Sequence, residues 1–339
     1  MKAAVYYGKR DMRVSEIPVR EPEADEVVVK VAYCGICGTD VHIFNGEDGA
    51  YAVTPPLVPG HEFAGTVVKV GENVKNVKVG DKVACDPNDM CGECQPCLEG
   101  HEHYCENGTG IGTTVNGGFA EYATFRAKSA YKVSDNLDLL EASMTEPVSC
   151  CLHGIDLCNI KTGDTVLVMG GGPIGMIMMQ LAKKAGATQI IMSEPVQAKR
   201  ELALKLGADL TIKPLEENVP EILAKVTDNV NVVIECIGNP HTQADAIQFA
   251  GNQATVMFFG LSDPDQSFEL HVNDIFKKEL HVTSSYINPY TFARSIKILE
   301  SHAIDVRSLV DKVLPVEELP LALADDSYRR DGKVIIKFD

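Results

Sequence analysis

Four cysteines stand close together, Cys91, Cys94, Cys97 and Cys105, spaced C-x2-C-x2-C-x7-C. Four thiolates at such spacing are the donor set of a tetrahedral zinc site. A bacterial ferredoxin run would place its fourth cysteine after three intervening residues with a proline behind it, but His101 and Glu102 stand there. The chain carries eleven cysteines, an odd number with no secretory leader ahead of them, so zinc is expected rather than disulfides. A metal filled by four protein ligands leaves no position for a substrate.

A second group has the donors of a more open site: Cys37 in Cys-Gly-Ile-Cys-Gly-Thr-Asp, His61-Glu62 in Pro-Gly-His-Glu, and Glu146 in Thr-Glu-Pro. One thiolate, one imidazole and one or two carboxylates would leave a coordination position free, as metal catalysis requires. Residue type alone leaves other readings open. Cys37 could be a small core residue, as Cys34 beside it is expected to be, and His61 a hydrogen-bonded core residue. Glu146 could simply begin a helix, with Pro147 behind it.

A third constellation points to a dinucleotide. The apolar segment 165–169 runs into Gly170-Gly171-Gly172-Pro173-Ile174-Gly175, and then into a helical pattern. In G-x-G-x-x-G, Gly170 permits the tight turn, Gly172 admits a pyrophosphate to the backbone and Gly175 lets helix and sheet pack closely. The helix N-terminus adds free amides and partial positive charge for the phosphates, with Pro173 and Ile174 opening it. The next strand, 189–193, is followed by Glu194, where a carboxylate would take the ribose hydroxyls and repel a 2′-phosphate. NAD is therefore expected over NADP. Arg200 would flank the adenine or lie in solvent.

These groups need two kinds of scaffold. Up to about residue 150 the chain reads as short strands broken by glycine and proline, such as 26–32, 65–70 and 82–84. From residue 165 apolar strands alternate with helical segments: 165–169, 173–185, 189–193, 196–206, 209–212 and 231–235. That alternation predicts a doubly wound parallel sheet. Near Ser284 it stops, and a helical stretch, 291–301, and a strand, 332–338, close the chain. This last strand could extend the parallel sheet or return to the β-rich region. A length of 339 residues suits two cores. The formal net charge of −17 with no basic run disfavours a nucleic-acid partner. No apolar run reaches membrane-spanning length, and the expected location is cytoplasmic.

Taken together, the ordered motifs resemble the zinc-dependent medium-chain dehydrogenases, in particular their polyol (sorbitol-like) and threonine dehydrogenase branch. The resemblance covers nearly the whole chain. It rests on Cys37-Gly-Thr-Asp-Val-His42, Pro59-Gly-His-Glu-Phe-Ala-Gly65, Val79-Gly-Asp-Lys-Val83, the four-cysteine lobe, Gly117-Gly-Phe-Ala-Glu-Tyr122, Glu146-Pro147 and the glycine turn. It implies a GroES-like, mostly β catalytic domain over residues 1–150, a Rossmann NAD-binding domain over 151–285, and a segment 286–339 returning to the catalytic domain. One catalytic and one structural zinc per chain are implied. Cys37, His61 and Glu62 would be catalytic zinc ligands, with Glu146 an alternate or water-mediated one; Cys91, Cys94, Cys97 and Cys105 would hold the structural zinc, without His101 or His103. Asp40 would hydrogen-bond the His61 ring, and Thr39 and His42 would relay the substrate proton. The cofactor residues implied are Gly170, Gly172, Pro173, Ile174, Gly175, Glu194 and Arg200.

The implied reaction is hydride transfer from a secondary alcohol (a polyol, sugar acid or polyol phosphate) to NAD, giving a ketone. An L-threonine 3-dehydrogenase-like activity is the main alternative. A zinc-free quinone reductase is disfavoured by the ligand sets, and a non-catalytic zinc and dinucleotide binding protein by the intact relay residues. Arg126, Arg294, Lys277 and Lys278 are candidates to meet an anionic substrate group. A homodimer or homotetramer is expected from the family, commonly joined at sheet edges.

Overall fold

A computed structural model describes residues 1–47, 52–263 and 265–339. The chain divides into two compact units, one of Met1–Ser149 with Pro289–Asp339, the other of Cys150–Asn288.

The strand Glu26–Gly35 is the spine of the first unit. It pairs antiparallel with Glu62–Val70, Tyr122–Arg126 and Lys333–Lys337. The terminal strand therefore joins the β-rich unit, where Val334, Ile335 and Ile336 are buried. On its other side it runs parallel to Val310–Pro315, a strand whose mixed sequence carried no clear period. Inward-facing Val27, Val29 and Val31 pack with Phe63, Val67, Phe119 and Phe125 in one core, and Phe63 meets Phe125 edge to face at 5.6 Å.

The second unit holds a six-stranded sheet in the order Leu210–Ile212, Gln189–Ser193, Thr165–Met169, Val232–Glu235, Thr255–Phe258, His281–Ser284. Every ladder is parallel. Numbered along the chain the order is 3-2-1-4-5-6, so it reverses between the first strand and the fourth. A crevice opens at the carboxyl ends of such a pair, which is where open α/β sheets take their ligands. The central strands are apolar throughout because helices cover both faces, and Val166, Leu167, Val168, Val233 and Ile234 are all buried. The helix Pro173–Ala185 follows the sequence pattern, as do the strands on either side of it.

Candidate active site

Two adjacent ladder ends build the first cluster. The register sets Gly35 opposite Glu62 and Cys34 opposite Phe63, so the chain leaving the first strand toward Cys37 lies beside the chain entering the second through His61. Cys37 then caps the helix Gly38–Phe44. Its backbone N–H donates to Asp40 Oδ2 at 2.8 Å, the reach-back half of a capping box. His61 is held from behind by glycines. Gly60 has φ +93°, and its carbonyl accepts from Gly118 N at 2.7 Å. A Cβ on Gly112 or Gly117 would fall 2.3 or 2.1 Å from that same oxygen. The Gly117-Gly118 motif thus serves to let the loop 112–118 lie flat against the peptide that carries His61.

Ligand atoms of Cys37, His61 and Glu62 lie within 4.8 Å of one another. His61 and Glu62 are buried, and Cys37 is half-buried. Asp40 Oδ1 stands 3.6 Å from His61 Nδ1, close enough to pair electrostatically but longer than the hydrogen bond expected there. With Nδ1 turned to Asp40, Nε2 is the nitrogen left for a metal. Burial penalises a charged imidazole, yet Asp40 and Cys37 outweigh it and hold the ring well above its ordinary pKa. A buried thiol, imidazole and carboxylate that together draw in positive charge fit a zinc ion with three protein ligands.

Glu146 is not in this trio. It is buried in the first turn of the helix Thr145–Cys158, in the position where an acidic side chain suits the helix N-terminus. Thr39 Oγ1 is 3.7 Å from Cys37 Sγ, and His42 Nδ1 lies 2.5 Å from Glu47 Oε2 near the surface. The residue that sequence reasoning missed is Lys333. It is 7% exposed, and its ammonium forms an ion pair with Glu62 Oε2. Burial works against its charge, but Glu62, Cys37 and Glu146 together raise its pKa. Gly35 leaves room for the pair, since a Cβ there would stand 2.2 Å from Glu62 Oε2 and 2.9 Å from Lys333 Cε. The signal in sequence was slight: one of two lysines bracketing the apolar run 334–336.

The four-cysteine lobe also comes together. Cys91, Cys94, Cys97 and Cys105 place their sulfurs within 4.8 Å of one another, with Sγ separations of 3.4 Å for Cys105–Cys91 and 3.7 Å for Cys94–Cys105. A tetrahedral zinc with bonds of about 2.3 Å spaces its sulfurs about 3.8 Å apart, whereas a disulfide needs about 2.05 Å. All eleven cysteines are free thiols. The N–H groups of Glu93 and Cys94 point at Cys91 Sγ and draw its pKa down to about 6, as a metal-binding thiolate needs. His101 and His103 lie outside the quartet.

In the second unit the glycine turn has the backbone geometry its spacing implies. Gly170 has φ +98°, and a Cβ on Gly175 would sit 1.8 Å from Gly170 O. Gly172 is the N-cap of the helix that Pro173 opens, with no side chain capping it, and a Cβ there would meet nothing within 4 Å. That open space beside uncapped amides suits a pyrophosphate. Glu194 lies under the turn, accepting from Gly171 N at 2.6 Å and Val196 N at 2.8 Å. Arg200 is half-buried, and its Nη1 donates to the carbonyls of Glu194 and Pro195 at 2.8 and 2.7 Å. Across the crevice, Glu235 accepts from Ile237 N, Gly238 N and Thr242 Oγ1, and so anchors the facing loop.

Comparison with known proteins agrees with this construction. Residues 23–135 match the alcohol dehydrogenase GroES-like domain, and residues 173–301 the zinc-binding dehydrogenase family. The chain is 35% identical to D-arabinitol dehydrogenase 1 of Uromyces fabae, over 98% of this chain and 96% of that one. It is 35% identical to D-arabitol-phosphate dehydrogenase of Enterococcus avium, over 97% and 95%. A zinc-binding dehydrogenase of Sinorhizobium meliloti 1021, solved bound to NADP, superposes with a TM-score of 0.95 at 35% identity, covering 99% of each chain.

Proposed function

The chain belongs to the zinc-dependent medium-chain dehydrogenases, the two-domain family with a GroES-like and a Rossmann domain, and from that premise we propose that it oxidises a secondary alcohol of a polyol to the ketone with NAD. The observation that carries the reading is the contrast between its two ligand sets, one of four thiols and one of three mixed donors. The first would hold a structural zinc, and the second a catalytic zinc with a position to spare. Residues 1–150 and 286–339 are assigned to the catalytic domain and 151–285 to the NAD-binding domain.

Zinc supplies a Lewis acid that makes a neighbouring hydroxyl far more acidic, and NAD supplies the hydride acceptor. The chain does the rest. Cys37, His61 and Glu62 hold the metal, while Asp40 fixes the imidazole and the helix that begins after Cys37. The Thr39 hydroxyl, beside Cys37, takes the substrate proton, and His42, paired with Glu47 near solvent, releases it. Glu146, outside the trio, serves as an exchangeable or water-mediated partner. Gly170, Gly172 and Gly175 with the helix opening at Pro173 and Ile174 cradle the pyrophosphate. Glu194 reads the ribose, and Arg200 locks the segment that carries it.

An uncharged polyol is favoured because three of the four basic candidates, all but Lys277, already have partners. Arg126 pairs with Asp25 and Asp89, Lys278 donates to the carbonyls of Ile247, Gln248 and Ala250, and Arg294 is also engaged. The chain would work as a homodimer in a reducing, cytoplasmic setting, to which its free thiols are suited. The edge strand His281–Ser284 offers unpaired backbone, and Val272 and Phe276 beside it in sequence are 70% and 79% exposed, an apolar edge that a second copy would cover. The experiment is a screen for NADH formation over polyols, sugar acids, their phosphates and L-threonine, with and without a chelator. Polyol oxidation lost with the metal is expected. Turnover that survives verified removal of all zinc would sink the reading.

A further inference from the structure

Lys333 is an expensive residue where it stands. A buried ammonium is tolerated only with a compensating charge, and this one lies on Glu62 in a pocket shaped for the pair by the missing side chain of Gly35. Cys37 and Glu146 are close enough to act on it electrostatically, and Cys37 and His61 share a cluster with its partner Glu62. Lys333 is therefore the cation on a carboxylate that a metal held by Cys37, His61 and Glu62 would also need.

We propose that Lys333 is a positioning residue that competes with zinc for Glu62, standing in for the metal's charge when the site is metal-free and restraining Glu62 when it is loaded. A carboxylate tethered by one oxygen to an ammonium is a weaker donor to a metal than a free one, and it cannot swing to take a second coordination position. Lys333 thus sets how tightly the centre holds its metal and keeps a position clear. The inference rests on the reading that Cys37, His61 and Glu62 hold zinc.

The test uses full-length protein and zinc competition against a chelator, read as metal bound per chain and as the rate of zinc release. Wild type, Lys333→Arg, Lys333→Met, Glu62→Gln and the double variant Lys333→Met with Glu62→Gln are compared. Lys333→Met is expected to hold the catalytic zinc about tenfold more tightly, since one repelling charge and one competitor for the carboxylate are gone. Lys333→Arg should behave as wild type. Once Glu62→Gln is present, Lys333→Met should lose most of its effect, because the shared carboxylate is absent. A structural role alone would not produce that coupling. Should metal-free Lys333→Met fail to fold, slower zinc release from protein purified with its metal carries the same prediction. Unchanged or weaker zinc retention in Lys333→Met, or an effect undiminished by Glu62→Gln, would overturn the proposal. A wild type that binds zinc only at the four-cysteine lobe would instead remove the reading on which it rests.

Discussion

Replacing Gly172 or Gly175 by alanine adds one methyl group to the turn after Met169, yet the two changes should separate folding from cofactor binding. On Gly175 the methyl would stand 1.8 Å from Gly170 O, a backbone atom with no freedom to move aside. That is roughly 1.5 Å short of ordinary contact, so the helix Pro173–Ala185 must back away from the turn. Overpacking of this kind costs about 1–3 kcal/mol, and an ångström of misplacement at a binding turn can cost about 100-fold in function. On Gly172 the methyl meets nothing within 4 Å, and the backbone is in the extended region that alanine adopts freely. Exchanging glycine for alanine at an N-cap should cost under about 1 kcal/mol. The methyl would, however, fill the space through which a pyrophosphate approaches the amides. Gly172→Ala should therefore melt like wild type and bind NADH at least about tenfold more weakly, whereas Gly175→Ala should lose both stability and binding. Thermal melts and fluorescence titration with NADH supply the two readings. If Gly172→Ala binds NADH within about twofold of wild type, the pyrophosphate does not lie on this turn.

Cys37→Ser should lose one of the two zinc ions and reduce turnover by about 1,000-fold or more, with NADH affinity retained; metal analysis beside steady-state kinetics checks it, and near-normal turnover without that metal would count against the trio. Glu194→Ala removes the carboxylate on which Gly171 N and Val196 N converge, so NAD binding should weaken and discrimination against NADP relax; competition kinetics with both cofactors gives the answer, and an unchanged preference would exclude Glu194 as the ribose reader. Phe276→Glu places a charge on the exposed apolar edge and should shift sedimentation from the proposed dimer to monomer; an assembly of wild-type stability would locate the contact elsewhere.

What the sequence determined by itself was local. The C-x2-C-x2-C-x7-C spacing puts four thiolates in one short segment, where a single zinc can gather them with no partner from elsewhere in the chain. G-x-G-x-x-G between an apolar strand and a helical pattern likewise dictates its own turn, and residues 165–193 fold as their periodicity requires. The weaker signals were those that depend on distant partners. Val310–Pro315 alternates half-buried and exposed positions, but with Lys312 half-buried and Val313 exposed its residue types hide that period. Residue type alone left Glu62 and Glu146 as equal carboxylate candidates, and it is antiparallel register, by setting Gly35 opposite Glu62, that brings Glu62 beside Cys37 and His61. Lys333 carried the faintest signal of all. Nothing near it in sequence marks a buried lysine, and its partner lies at the far end of the chain. Only the sheet, by running the terminal strand beside Glu26–Gly35, puts an ammonium and a carboxylate together where neither could be buried alone.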